Sequence, residues 1–299
     1  MAKKSSRSGS KKHYSVQRQY RLGFNLPSAV TQVHGALDRD LSRINHRLYR
    51  QSRYYEMKVD IDADLPDGTI VQVYALQDSW MNQKAYQLAY DTFVENSKEE
   101  KEMLSTTNAR WNDFRVGTGF ATGATTGNSI PAGFNGPAST ASPVLYTGGE
   151  YILSEITDAA GTAQTFRWTG AGANTWNIVD QYDLTGNTDA TPTNAIASVA
   201  YDGVTDEIDD NQVEHLSADG DVPPYDRLTI ENQVFMLVGT LHIDASGTSK
   251  LSTGYFCAPC GIYALQAVVG DGNTLNGKIS ITAKAGDYKG VHGSAMLEL

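Results

Sequence analysis

Arg39, Arg43 and Arg47 recur at every fourth position of LDRDLSRINHRLYRQ, and Arg50 closes the row. On a helix this spacing lines guanidinium groups along one face, where fixed cations can bind phosphate. The adjoining face carries Leu37, Leu41, Ile44 and Leu48, an apolar seam that requires burial. Lys3, Lys4, Arg7, Lys11, Lys12, Arg18, Arg21 and Arg53 bring the cations of the first 53 residues to twelve, against only Asp38 and Asp40. With 24 basic and 34 acidic residues in the whole chain, this start carries a net +10 and the remainder −20. A basic arm suits a polyanion, whereas an acidic body repels one. Around residues 13–27 the bases alternate with aromatics (His13, Tyr14, Tyr20, Phe24), a pattern able to stack on unpaired bases while neutralising phosphates.

Other candidate chemistry is thinner. Cys257-Ala-Pro-Cys260 has the spacing of a redox pair or of half a zinc site. It sits in an apolar, β-patterned run, there is no third cysteine, and the histidines are scattered. The two thiols therefore read as small buried residues at a bend or bulge between strands. Asp60, Asp62 and Asp64 precede Asp67-Gly68, but Leu65 and Val71 stand where a calcium loop needs glycine and an acid. A divalent cation shared between subunits at Asp60, Asp62 and Asp64 is the one inorganic partner they suggest; otherwise no cofactor and no metal is expected. Asp206, Glu207, Asp209 and Asp210 read as a solvated loop. No nucleophile elbow, paired-histidine metal motif or phosphate loop is present, so no catalytic residues are assigned and the chain is not expected to be an enzyme.

The elements that would carry these residues are mainly strands. Hydrophobic residues make up 40% and charged residues 19%, with 28 glycines, which favours a folded, turn-rich β protein. No apolar run is long enough to span a bilayer, and MAKKSSRSGSKK lacks the apolar stretch of a secretory signal. Val30, Val33, Leu37, Leu41, Ile44 and Leu48 predict a helix over roughly 29–50, with Ser28 as its cap. MKVDIDAD then alternates as a strand, LPDG turns, and TIVQVYAL returns as a second strand. From Ser79 the spacing is helical again, with Ala85, Leu88, Ala89 and Phe93 on the inner stripe. Residues 117–224 mix Gly/Thr-rich loops with short β candidates, NTWNIVDQYDL among them. VFMLVGTLHI, YFCAPCGIYALQAVV and GKISITAKAG are strongly β.

The reading is three parts: a basic flexible arm over 1–27, an arginine-bearing amphipathic helix over 28–53, and an all-β body over 54–299 with long surface loops or an insertion at about 117–224. The body is expected to be an antiparallel β-sandwich of the jelly-roll kind, with one inserted helix. This layout resembles the coat proteins of small icosahedral viruses, and YALQDSWMNQKAYQLAYDTFVENSKEEKEMLSTTNARWNDFRV is similar in style to capsid proteins of small circular single-stranded DNA viruses. The resemblance implies a single jelly roll that self-assembles into an icosahedral shell of roughly 60 copies or a multiple. It implies a virion protein assembled inside the host cell, binding single-stranded nucleic acid, DNA by likeness, without sequence preference and without a membrane. The twelve cations would bind the genome, and Leu37, Leu41, Ile44 and Leu48 would contact the underside of the shell or a neighbouring subunit. A β-sandwich adhesin, phage fibre or carbohydrate-binding module is the alternative, suggested by Gly/Thr/Asn-rich strands and by Trp168 and Trp176.

Overall fold

The computed structural model describes residues 15–26, 31–62, 68, 70–98, 111–118, 152–157, 161–169, 174–186, 234–242, 250–268 and 275–296. They are mostly β, in antiparallel sheets, with few helices. The first sheet runs β1 (Gln19–Leu26), β11 (Leu275–Ala283), β3 (Arg53–Asp62), β9 (Lys250–Pro259), and the short β12 (Gly293–Ala295) extends β11 along the start of β3. The second runs β2 (Thr31–Ala36), β10 (Ile262–Val268), β4 (Ile70–Leu76), β8 (Phe235–His242). Four pairings are nested: β1 with β11, β2 with β10, β3 with β9, β4 with β8. Each early strand thus meets its mirror partner from the late half, as in one long antiparallel ribbon folded over into two layers.

Alternation explains why these strands face each other. Along β3, Tyr55, Met57, Val59 and Ile61 are buried while the residues between them are not. Val71, Val73 and Ala75 of β4, Tyr263 and Leu265 of β10, and Ile279 and Ile281 of β11 complete the same core. Each such large side chain contributes about 1.5–3 kcal/mol relative to exposure. The buried hydroxyls of Tyr20 and Tyr263 lie 2.7 Å apart, joining β1 of one sheet to β10 of the other.

Two connections carry structure of their own. Between β2 and β3 lies α1 (Leu37–Asn45), whose first N–H donates to the Gly261 carbonyl at 2.8 Å. Between β4 and β8 lie α2 (Trp80–Asn96), a small sheet of β5 (Glu155–Thr157), β6 (Ala163–Arg167) and β7 (Thr175–Asn177), and α3 (Ile178–Gly186). This insertion packs a second, aromatic core against Leu76, Cys260, Ile262 and Met296 of the body, with Tyr86 stacked on Trp168 at 5.9 Å and Phe114 edge-on to Phe166 at 5.2 Å. No helix among the described residues is long and apolar enough to cross a membrane.

Several sequence expectations are corrected. The segment read as arm and helix contains two strands, β1 and β2, so the sheets begin at residue 19 rather than 54. The helix occupies 37–45, not 28–53 or 29–50. Val30 and Val33 continue the helical spacing of Leu37 and Leu41, but Thr31 to Ala36 pair with β10. Gly35 sits under the Tyr263 ring, where a Cβ would lie 2.0 Å from the ring's Cζ, so only glycine fits. His46, with φ of 50°, ends the helix in the left-handed region, which removes Arg47, Leu48 and Arg50 from it. NTWNIVDQYDL, read as β, splits into β7 and α3, where Asn177 Oδ1 accepts from the Val179 and Asp180 N–H groups. Ser79 caps α2 as expected, accepting from Asn82 N at 3.3 Å.

Candidate nucleic-acid interface

The expected apolar seam is largely taken up by the protein's own core. Leu37 and Leu41 are fully buried in the protein's own core, and Ile44 packs against it. Leu48, beyond the helix, is half-buried. The helix is buried on more than its apolar side, Asp38, Asp40 and Ser42 included, and is open to solvent on the side of Arg43.

That side joins segments remote in sequence. Asn45, at the end of α1, bonds the backbone of Gln17 twice at 2.8 Å, fixing the chain just before β1. Tyr49 donates its hydroxyl to the Lys289 carbonyl at 2.9 Å, and Lys289 Nζ in turn donates to the Leu48 carbonyl. Arg50 N donates to the Tyr288 hydroxyl at 3.1 Å, and the Arg53 guanidinium lies 4.5 Å above the Tyr288 ring. Residues 16–18, 43–53 and 284–290 therefore form one surface, along which Arg18, Arg43, Arg47, Arg50 and Lys289 are exposed. Arg21 is exposed on β1, and Arg53 is half-buried by Tyr288. Lys3, Lys4, Arg7, Lys11 and Lys12 lie outside the described residues, but the chain that bears them enters the fold here.

Not every cation of this surface is available to a ligand. Lys284 pairs with Glu56, which also faces His292 Nδ1 at 3.6 Å, and the Lys284 hydrogen bond holds the Glu56 carboxyl below its usual range. Lys289, Tyr288 and Trp111 escaped the sequence reading. The stretch KAGDYKG repeats the aromatic–basic interleaving of residues 13–27 and was the available signal.

Beneath the arginines lies an unexpected group of buried charges. Asp38 and Asp40, in the first turns of α1, are buried, and Arg115 Nε approaches Asp38 Oδ2 at 3.7 Å. Burial pushes the Asp38 carboxyl up to about 6, against the pull of Arg115. Asp113 is also raised by burial while its Oδ2 accepts from Gln51 N at 2.9 Å. Gln51 ties a strap, residues 111–118, to the chain just before β3, donating to the Val116 carbonyl and accepting from its N–H. Where α1, the end of α2 and this strap meet there is a cleft of about 380 Å³ lined by Arg39, Phe93, Trp111, Asp113, Arg115 and Ser154, among others.

The remaining candidates resolve simply. Cys257 and Cys260 are free, and only Cys260 is the expected buried residue at a bend: β9 ends at Pro259, Cys260 has φ of 59°, and β10 starts in the other sheet, whereas Cys257 is half-buried within β9 opposite Glu56. Burial raises the Cys257 thiol to about 11 and Cys260 far above its usual value, the reverse of a reactive pair. Asp60 accepts from Ser252 Oγ at 2.6 Å and pairs with Lys58 at 2.9 Å, Asp62 is exposed, and Asp64 is outside the described residues. The acidic loop at 206–210 lies outside them too. Among the described residues no group of three metal-ligating side chains gathers. Trp168 is fully buried and Trp176 half-buried, so neither forms the open platform that the carbohydrate-binding alternative would use. Comparison with protein-family models, with curated proteins and with solved structures found no match to this chain.

Proposed function

We propose that this chain is a jelly-roll shell protein that self-assembles and packages single-stranded nucleic acid against the surface around Arg43, Arg47, Arg50 and Lys289. The nested pairing of eight strands, four in each of the two main sheets with β12 added to the first, supports the jelly-roll reading. The observation that carries the function is the meeting of three distant basic segments at the point where the cationic N-terminal stretch enters the fold. Exposed Arg18, Arg43, Arg47, Arg50 and Lys289 then share one face of the body, to which the basic N-terminal sequence leads. The acidic remainder of the chain leaves the rest of the surface repellent to nucleic acid, which orients the subunit on its cargo. Individual contacts of this kind are weak and strongly salt-dependent, and many tethered copies make them cooperative.

Expression of the full chain followed by sedimentation and electron microscopy tests this directly. Closed particles of uniform diameter are expected. A species that stays monomeric across salt and pH contradicts the proposal.

A further inference from the structure

We infer that the cleft between α1 and the 111–115 strap receives one unstacked base of the packaged strand, and that it favours a base bearing an exocyclic amino group. The inference rests on the packaging function proposed above and adds a ligand-binding site to it. Three observations carry it.

The first is position. Arg39 lines the cleft, and Arg43, one turn further along α1, is exposed on the basic surface. A strand whose phosphates follow Arg47, Arg43 and Arg39 is led to the mouth of the cleft. His46, at the end of the same helix, meets the Trp111 ring edge-on at 5.6 Å, so the aromatic wall and the basic surface are contiguous.

The second is shape and lining. About 380 Å³ holds a nucleobase with room for part of its sugar, and Trp111 and Phe93 supply aromatic surface, with Ile152 beside them. Aromatic stacking on an unpaired base strengthens binding by about tenfold or more.

The third is the charge inside. Asp113 and Glu155 line the cleft along with Arg39 and Arg115. Set against these two cations, the two acids cancel the positive charge of the approach and make the cleft less suited to a phosphate than the surface outside it. They accept hydrogen bonds from the amino group of cytosine or adenine, whereas thymine presents a carbonyl oxygen at the corresponding position.

The test is equilibrium binding of labelled dC and dT oligomers of about 12 nucleotides to the full chain at neutral pH and fixed salt. The wild-type protein is expected to bind the dC oligomer about fivefold more tightly than the dT oligomer. Trp111→Ala should bring this ratio close to one. Glu155→Gln, a change at an exposed rim position, should reduce it without touching the core. Equal wild-type affinities, or a ratio unchanged in both variants, overturns the base-binding cleft while leaving packaging intact. Absence of binding to either oligomer overturns the packaging function as well.

Discussion

Asn45 holds the backbone of Gln17 at both of its polar groups: Oδ1 accepts from the Gln17 N–H and Nδ2 donates to the Gln17 carbonyl, each at 2.8 Å. The end of the arginine helix and the root of the basic arm are thereby one unit. Asn45→Ala should lower stability by about 1 kcal/mol, the net worth of such bonds. It should also speed tryptic cleavage after the exposed Arg18. An unchanged cleavage rate would show that the arm root is fixed by something else.

Burial of Leu41 in the protein's own core leads to a different expectation from a seam between subunits. Leu41→Ala should destabilise the dissociated subunit by about 2–5 kcal/mol, through lost transfer energy and the cavity left behind. Thermal or urea unfolding of subunits, rather than assembly yield, is the measurement. If the isolated subunit melts as the wild type does and only assembly suffers, the seam faces a neighbour after all.

Arg47 and Arg50 lie on the exposed surface outside the helix, so their removal should cost binding and little stability. For a single strand each neutralised phosphate contributes about 0.7 to the slope of log K against log salt. The double variant Arg47→Ala, Arg50→Ala should therefore flatten the slope by about 1.4. Titration of a single-stranded oligomer across a salt series reads this, and an unaltered slope removes both residues from the interface.

Asp38 provides a pH dependence whose sign is fixed by its burial. Its carboxyl is raised to about 6 in the fold from 3.8, so the folded protein holds this proton more tightly than the unfolded chain. The resulting stabilisation is complete below pH 3.8 and is lost as pH rises through about 6. Relative to Asp38→Asn, the wild-type protein should lose roughly 2–3 kcal/mol between those limits. Urea unfolding of both proteins at a series of pH values measures it. A difference that is flat, or that grows with pH, would mean that Arg115 outweighs desolvation.

What could be read from the chain follows how local each signal was. The alternation of Met57, Val59 and Ile61, the cap at Ser79 and the bend at Cys260 are written in neighbouring residues, and each reappears in the fold. The strand Thr31–Ala36 was hidden because Val33 keeps helical step with Leu37 and Leu41, so two elements merge into one apparent period. The tertiary partner decides it: Tyr263, far along the chain, lies over Gly35. The basic surface was half legible. Its arginines form a visible row, but Tyr288 and Lys289 join it through bonds spanning 238 and 240 residues. Asp38 and Asp40 look like ordinary charges in the sequence, since only the packing of α1 against the core and beside Arg115 makes them interior groups.

Nucleic acid held on this surface within an assembled shell is the core of the proposed function. Its most direct test is the ratio of absorbance at 260 and 280 nm for purified particles of the wild-type chain and of a variant with Arg43, Arg47, Arg50 and Lys289 changed to glutamate. The account predicts particles in both cases, with a high ratio for the wild type and one near that of protein alone for the variant. Equal ratios in the two, or wild-type particles free of nucleic acid, would contradict it.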